Sequence, residues 1–183
     1  MESKKLIATF ALFALSLTAQ ADGNFRLYSS LPAGKTIPAD YYWNNFGCTG
    51  QNQSPELHWK NVPSGAKSFA ITFYDRDAPT GSGFWHYVAY NIPVNTNHVD
   101  IGELAAGKLP IGAVEGNTDL GKPGFFGPCP PVGRAHHYVY TVYALKVEKL
   151  EVPAGATAAL TNFFFWQNSL GKAEYIVKAG PRQ

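Results

Sequence analysis

Phe69-Ala-Ile-Thr-Phe-Tyr-Asp75-Arg-Asp77-Ala-Pro79 passes from an alternating strand into two carboxylates and a proline, and this stretch decides the fold. Side chains alternate along a strand, so Phe69, Ile71 and Phe73 share one face and mark a central strand. Trp85 to Asn91 and His137 to Lys146 read the same way. The second puts Val139, Thr141, Tyr143 and Leu145 on one face and Tyr138, Tyr140, Val142 and Ala144 on the other. Weaker strands are expected at Phe25 to Tyr28, Glu56 to Trp59 and Glu174 to Lys178. With 18 Gly and 13 Pro punctuating these runs, the fold class is mainly β. One helix is expected: Thr157 caps its start, Leu160, Phe163, Phe164 and Leu170 recur at helical spacing against a sheet, and Gly171 stops it. The stretch Gly102 to Gly124 reads as long loop with one turn of helix. No repeat or linker interrupts the chain.

The beginning of the chain reads differently. Lys4 and Lys5 precede an apolar run from Leu6 to Leu17, followed by Ala19-Gln20-Ala21. This is the pattern of a signal peptide over residues 1–21, cleaved after Ala21, with a run too short to serve as a membrane span. The expectation is a single domain over 22–183, exported to a periplasmic or extracellular space. A chain of that length buries enough surface to fold as one unit. Its 15 basic and 13 acidic residues nearly cancel, so nothing recruits nucleic acid by charge alone. The two cysteines, Cys48 and Cys129, would meet an oxidising environment and are expected to form a disulfide; two buried free thiols are the alternative.

Two segments carry candidate chemistry. Asp75 and Asp77 leave the central strand two residues apart and share a side if the backbone stays extended, while Pro79 and the glycines at 81 and 83 bend the chain back and bring His86 near them. Gly127-Pro128-Cys129-Pro130-Pro131-Val132-Gly133 is a stiff loop, because its prolines fix φ. It feeds a strand in which His136 and Tyr138 share a face and His137 points away. His58, His98 and His137 read as surface residues.

Asp75-x-Asp77-Ala78-Pro79 with His86 downstream, then Pro130-Pro131-x-Gly133-x-x-His136-x-Tyr138, resembles the two signature regions of the phosphatidylethanolamine-binding family. The likeness extends to Asn52-Gln53-Ser54-Pro55, Trp85-His86 and Tyr143-Ala144-Leu145, and runs from about Tyr28 to Val177. The resemblance implies two packed antiparallel sheets with one C-terminal helix and long loops. It also implies a shallow pocket for phosphate-like anions built from Asp75, Asp77, Pro79, His86, Pro130, Pro131, His136 and Tyr138. Arg76 stands where the family usually has proline, and His137 where many relatives have arginine.

The physical logic of such a pocket is that imidazoles and a phenol donate to anionic oxygens, more strongly when an imidazole is charged. Asp75 and Asp77 are expected to accept from His86, His136 or backbone amides and to keep the rings cationic, so anion binding should strengthen between about pH 8 and about pH 6. For Asp77 a turn-stabilising role is an equal reading. Two histidines and a carboxylate would suit zinc or iron, but no close ligand spacing such as His-x-x-x-His or Cys-x-x-Cys occurs, and no metal or cofactor is expected. A water-activating hydrolase is a further reading, although no Gly-x-Ser-x-Gly elbow supplies a nucleophile. The expectation is therefore a non-catalytic binding protein acting on a small anion and modulating a protein partner. Its rival is a protease inhibitor working through the loops around Gly102 to Gly124. Phe163 to Trp166 should pack mostly into the core, with one or two rings left for a partner.

Overall fold

The structure, a computed structural model, describes residues 24–183. The leader read over residues 1–21 and its cleavage after Ala21 lie outside the described residues.

Eight strands and one helix follow in order: β1 Arg26–Tyr28, β2 Leu57–Lys60, β3 Ser68–Asp75, β4 Phe84–Pro93, β5 His98–Val99, β6 Val114–Glu115, β7 His136–Leu145, α1 Ala158–Asn168 and β8 Ser169–Ala179. A 3-10 turn covers Ala39–Tyr41. They form a small sheet, β1-β2-β5, and a five-stranded sheet, β6-β4-β3-β7-β8, with antiparallel neighbours throughout. The strand read first, β3, is central, paired to β4 on one side and β7 on the other.

Alternation explains the layers. Phe69, Ile71 and Phe73 of β3 and Tyr138, Tyr140, Val142 and Ala144 of β7 face the small sheet, where Leu27, Leu57, Trp59 and Val99 close the main core. The opposite face carries Ala70, Val88, Tyr143 and Leu145, covered by Leu150 and by Ala158 and Phe165 of α1. Both faces of β3 are thus buried, which accounts for its nearly continuous apolar run.

The helix departs from expectation. It begins after Thr157, whose hydroxyl accepts from the Leu160 amide, but it ends at Asn168 and the chain passes directly into β8. Gly171 is no cap; it pairs with Ala144 in the sheet, so strand pairing ends the helix. The inward face is Ala158, Thr161 and Phe165, while Leu160, Phe163, Trp166 and Leu170 are exposed. Four consecutive aromatic residues carry no polar partner to say which ring points in. Tyr143 and Tyr90, with ring centroids 5.5 and 6.0 Å from Phe165, select it. Within the stretch from 102 to 124, a single helical turn closes from the Ala106 amide to the Gly102 carbonyl at 2.9 Å, and β6 was not foreseen. Short β5 was also missed. Cys48 and Cys129 form the expected disulfide, with Cα atoms 5.9 Å apart.

Candidate functional site

Strand register builds the site. Asp75, the last residue of β3, pairs with Phe84 at the start of β4 and with Tyr138 near the start of β7. Three strands therefore deliver their polar residues to one end of the large sheet, and His136 lies two positions from Tyr138 on the same face.

Asp75 is almost wholly buried, at 3% exposure. Its Oδ2 accepts from His136 Nδ1–H at 2.7 Å and its Oδ1 accepts from the Asp77 amide at 2.9 Å. That second bond is an Asx turn, which reverses the chain immediately after the strand. The backbone therefore does not stay extended, and Asp77 turns away from Asp75. Its Oδ2 accepts from the His137 amide at 2.7 Å and from His137 Nδ1–H at 2.6 Å. Asp77 does not line the cavity at this sheet end, and its contacts are those of the turn-stabilising role that is its equal reading from the sequence; His137, read as a surface residue, is half-buried and paired with it. Burial pushes the Asp77 carboxyl up, but the two His137 hydrogen bonds and the charges of His137 and Arg76 outweigh it and hold the group below its usual value.

His86 departs from the cationic ring expected of it. It takes no hydrogen bond to Asp75; its Nδ1–H donates to the Phe126 carbonyl at 2.8 Å. Burial pulls the imidazole down to about 4, with the Phe126 bond and the Asp75 charge offsetting only part of the effect. The ring is neutral at pH 7 rather than cationic. With the proton on Nδ1, Nε2 carries the lone pair of the neutral ring and can act only as an acceptor. Tyr138 is fully buried between these rings, its hydroxyl has no hydrogen-bond partner among the described residues, and burial followed by the Asp75 charge pushes its ionisation far up.

A cavity of about 160 Å³ opens over this floor. Asp75 and His86 supply its polar wall, Pro79 and Pro131 its stiff sides, and Trp43, Phe46, Phe84 and Phe126 its aromatic lining. Ala78, Thr80 and Cys129 complete it, and no lysine or arginine lines it. Of the expected set, Asp75, Pro79, His86 and Pro131 reach the cavity, while His136, Tyr138 and Pro130 do not line it; His136 supports it from behind through Asp75. The aromatic lining was missed, because Trp43 and Phe46 lie in a loop with no periodicity to orient them.

That loop is fixed by close approach. Asn52, at φ 55°, donates to the Phe125 carbonyl at 3.1 Å and accepts from the Gly127 amide at 2.7 Å. A Cβ on Gly127 would lie 2.5 Å from the Tyr41 carbonyl oxygen, so only glycine fits where the two walls cross. Trp43 N–H donates to the Pro128 carbonyl at 3.0 Å, and the Cys48–Cys129 bridge ties the same walls covalently. Among the described residues no three His, Cys, Asp or Glu side chains gather as a metal site. No helix there is long and apolar enough to cross a membrane.

Comparison with known proteins places this geometry. A family model described as phosphatidylethanolamine-binding protein matches residues 28–179. YbcL of Escherichia coli K12 is 42% identical over 174 residues, 93% of this chain and 95% of its own length. LppC of Mycobacterium tuberculosis, whose name includes the word lipoprotein, is 35% identical over 132 residues, 72% of this chain and 62% of its own. The crystal structure of YbcL, described as a member of the mammalian PEBP family, superposes with a TM-score of 0.81 at 40% identity, covering 86% of this chain and 99% of that one. The phosphatidylethanolamine-binding protein homolog CT736 from Chlamydia trachomatis superposes at 0.70 with 27% identity, covering 85% and 97%.

Proposed function

The chain belongs to the phosphatidylethanolamine-binding protein family, whose membership supports a small-ligand-binding protein, and from that premise we propose that its cavity holds the protonated phosphoryl end of a small zwitterion. The observation that carries this reading is His86, which lines a mostly aromatic cavity and is tied at Nδ1 to the Phe126 carbonyl, so that Nε2 is the ring's one acceptor.

An acceptor with Asp75 beside it and no lining cation repels a phosphate dianion. A monoanion is different, because its remaining O–H donates to Nε2. Passing that proton to the ring gives imidazolium and dianion with the same proton count. Either way, one proton accompanies the ligand. An ammonium on the same molecule suits Asp75 and the faces of Trp43, Phe46, Phe84 and Phe126. The aromatic cage and the carboxylate favour a zwitterion over a bare anion. Binding without turnover is supported by the lining, whose one hydroxyl, that of Thr80, donates to the Gly83 carbonyl. The leader-like start, the disulfide and the resemblance to LppC support export to an oxidising compartment.

Amide NMR titration with inorganic phosphate and O-phosphorylethanolamine at pH 6 and pH 8 tests the reading. A phosphate ester loses its second proton near pH 6, so affinity should fall by more than about tenfold between the two conditions. O-Phosphorylethanolamine should bind more tightly than phosphate, with shifts centred on Asp75 and His86. His86→Asn keeps a donor for Phe126 but removes the acceptor, and should abolish binding. Equal affinity at both pH values, or binding retained by His86→Asn, would overturn the proposal.

A further inference from the structure

The Cys48–Cys129 disulfide is a partition between two cavities. Cys129 lines the ligand cavity, whereas Cys48 lines a separate cleft of about 310 Å³ walled in part by Tyr42, Gly47, Thr49 and Arg182. Arg182 Nη1 lies 2.8 Å from Cys129 Sγ and 3.2 Å from Cys48 Sγ, and it also donates to the Phe46 carbonyl at 3.2 Å. Backbone bonds hold it there. The Gly133 amide donates to the Arg182 carbonyl at 3.1 Å, and the Gly180 amide donates to Tyr42 Oη at 2.6 Å. A permanent cation is thus fixed against a disulfide that is reached from a cleft.

We propose that this is an exchangeable disulfide: Cys48 Sγ accepts an incoming low-molecular-weight thiol bearing a carboxylate, and Cys129 departs as a thiolate held by Arg182. Displacement at sulfur runs along the S–S axis, so attack on Cys48 comes from the side of the sulfur remote from Cys129, and Cys48 is the half of the bridge that lines the larger cleft. The incoming thiolate forms a bond to Cys48 Sγ as the Cys48–Cys129 bond breaks. The electron pair of the broken bond goes to Cys129 Sγ, which needs no proton because the guanidinium is its counter-ion. The products are one mixed disulfide and one thiolate in place of one disulfide and one thiolate, so no separate oxidant or reductant is required. The direction follows from distance: Cys129 is the sulfur nearer Arg182, and a thiol of lower pKa leaves faster. Arg182 would also attract the carboxylate of the incoming thiol. Exchange cuts the covalent tie between the loop carrying Trp43 and Phe46 and the loop carrying Phe126 and Pro131.

Glutathione is the probe. The folded full chain is incubated with it, acid-quenched, alkylated and peptide-mapped. The expected result is the glutathione adduct on Cys48 and the alkyl label on Cys129, formed without denaturant. Arg182→Met should slow exchange by about tenfold, through loss of the charge-assisted stabilisation of the leaving sulfur, and Arg182→Lys should restore most of the rate. Near-UV circular dichroism confirms that each variant is folded. An adduct confined to Cys129, exchange only in denaturant, or an Arg182→Met rate equal to or faster than wild type would overturn the assignment; a faster rate would mean that Arg182 shields the bond.

Discussion

Two aspartate–histidine pairs stand side by side where β3 ends and β7 begins, with the same chemistry in different surroundings. Asp75 and His136 meet at 2.7 Å with side chains 4% and 2% exposed, whereas Asp77 and His137 meet at 2.6 Å with side chains 30% and 34% exposed. Alternation along the strands creates the difference, because neighbouring residues in His136-His137 face opposite ways and the Asx turn throws Asp77 outward after Asp75. Distance alone would rank the pairs as equals. Burial makes the first a support beneath the cavity, with Asp75 alone in its lining, and the second a clamp across a turn.

The largest expected effect breaks the buried pair. Asp75→Ala leaves the His136 ring without its acceptor, and His136→Ala leaves Asp75 buried without its ring donor. Removing one partner of such a pair should destabilise the protein by about 3–5 kcal/mol, read from urea midpoints at pH 7. A loss below about 1 kcal/mol for either variant would mean that water reaches the pair and that the contrast drawn from burial is wrong.

The next effect replaces the carboxylate partner with a carbonyl, which is what the structure itself does at His86. That ring is held at about 4 in the folded state, against 6.5 for an ordinary histidine. The unfolded chain therefore takes up a proton that the folded chain refuses, and stability falls as pH drops from about 6.5 to about 4, then stops falling on this account. The full change is about 3 kcal/mol. Urea unfolding of wild type and His86→Asn across this range checks it: the wild-type curve should fall relative to the variant, which carries no titrating group there. Parallel curves would show that the folded ring takes up its proton as readily as the unfolded one, and that burial does not hold it neutral.

Why the sequence misjudged these rings is physical. The faces of β3 and β7 were legible because a period of two is an intrinsic property of strands, and both cores follow it residue by residue. The convergence of Asp75, His86, His136 and Tyr138 on one sheet end was legible for the same reason, together with the resemblance of the two signature segments. The protonation state was not, because it depends on the Phe126 carbonyl, forty residues beyond His86, and on how completely the loop buries the ring. The aromatic cage was equally hidden, since Trp43 and Phe46 are placed by Asn52, Gly127 and the disulfide rather than by any local period. The helix face failed because Phe163-Phe164-Phe165-Trp166 is apolar all round, and tertiary contacts chose Phe165.

The exposed pair should give the smallest effect. Asp77→Ala removes the acceptor for both the His137 amide and its ring, in a place where solvent replaces much of what is lost, so the loss at pH 7 should be at most about 1 kcal/mol. Its pH dependence has the opposite sense to that of His86. The folded Asp77 carboxyl lies below its ordinary 3.8, so its contribution is present above that value and disappears as pH falls through the lowered one. The gap between wild type and Asp77→Ala should therefore close in strong acid, as pH falls through the lowered value of the carboxyl. A loss as large as that of Asp75→Ala would show that the turn, rather than the buried pair, holds β3 and β7 in register at the cavity. The two pairs would then be one cooperative unit, and Asp77 would regain the place in the site that its hydrogen bonds to His137 now deny it.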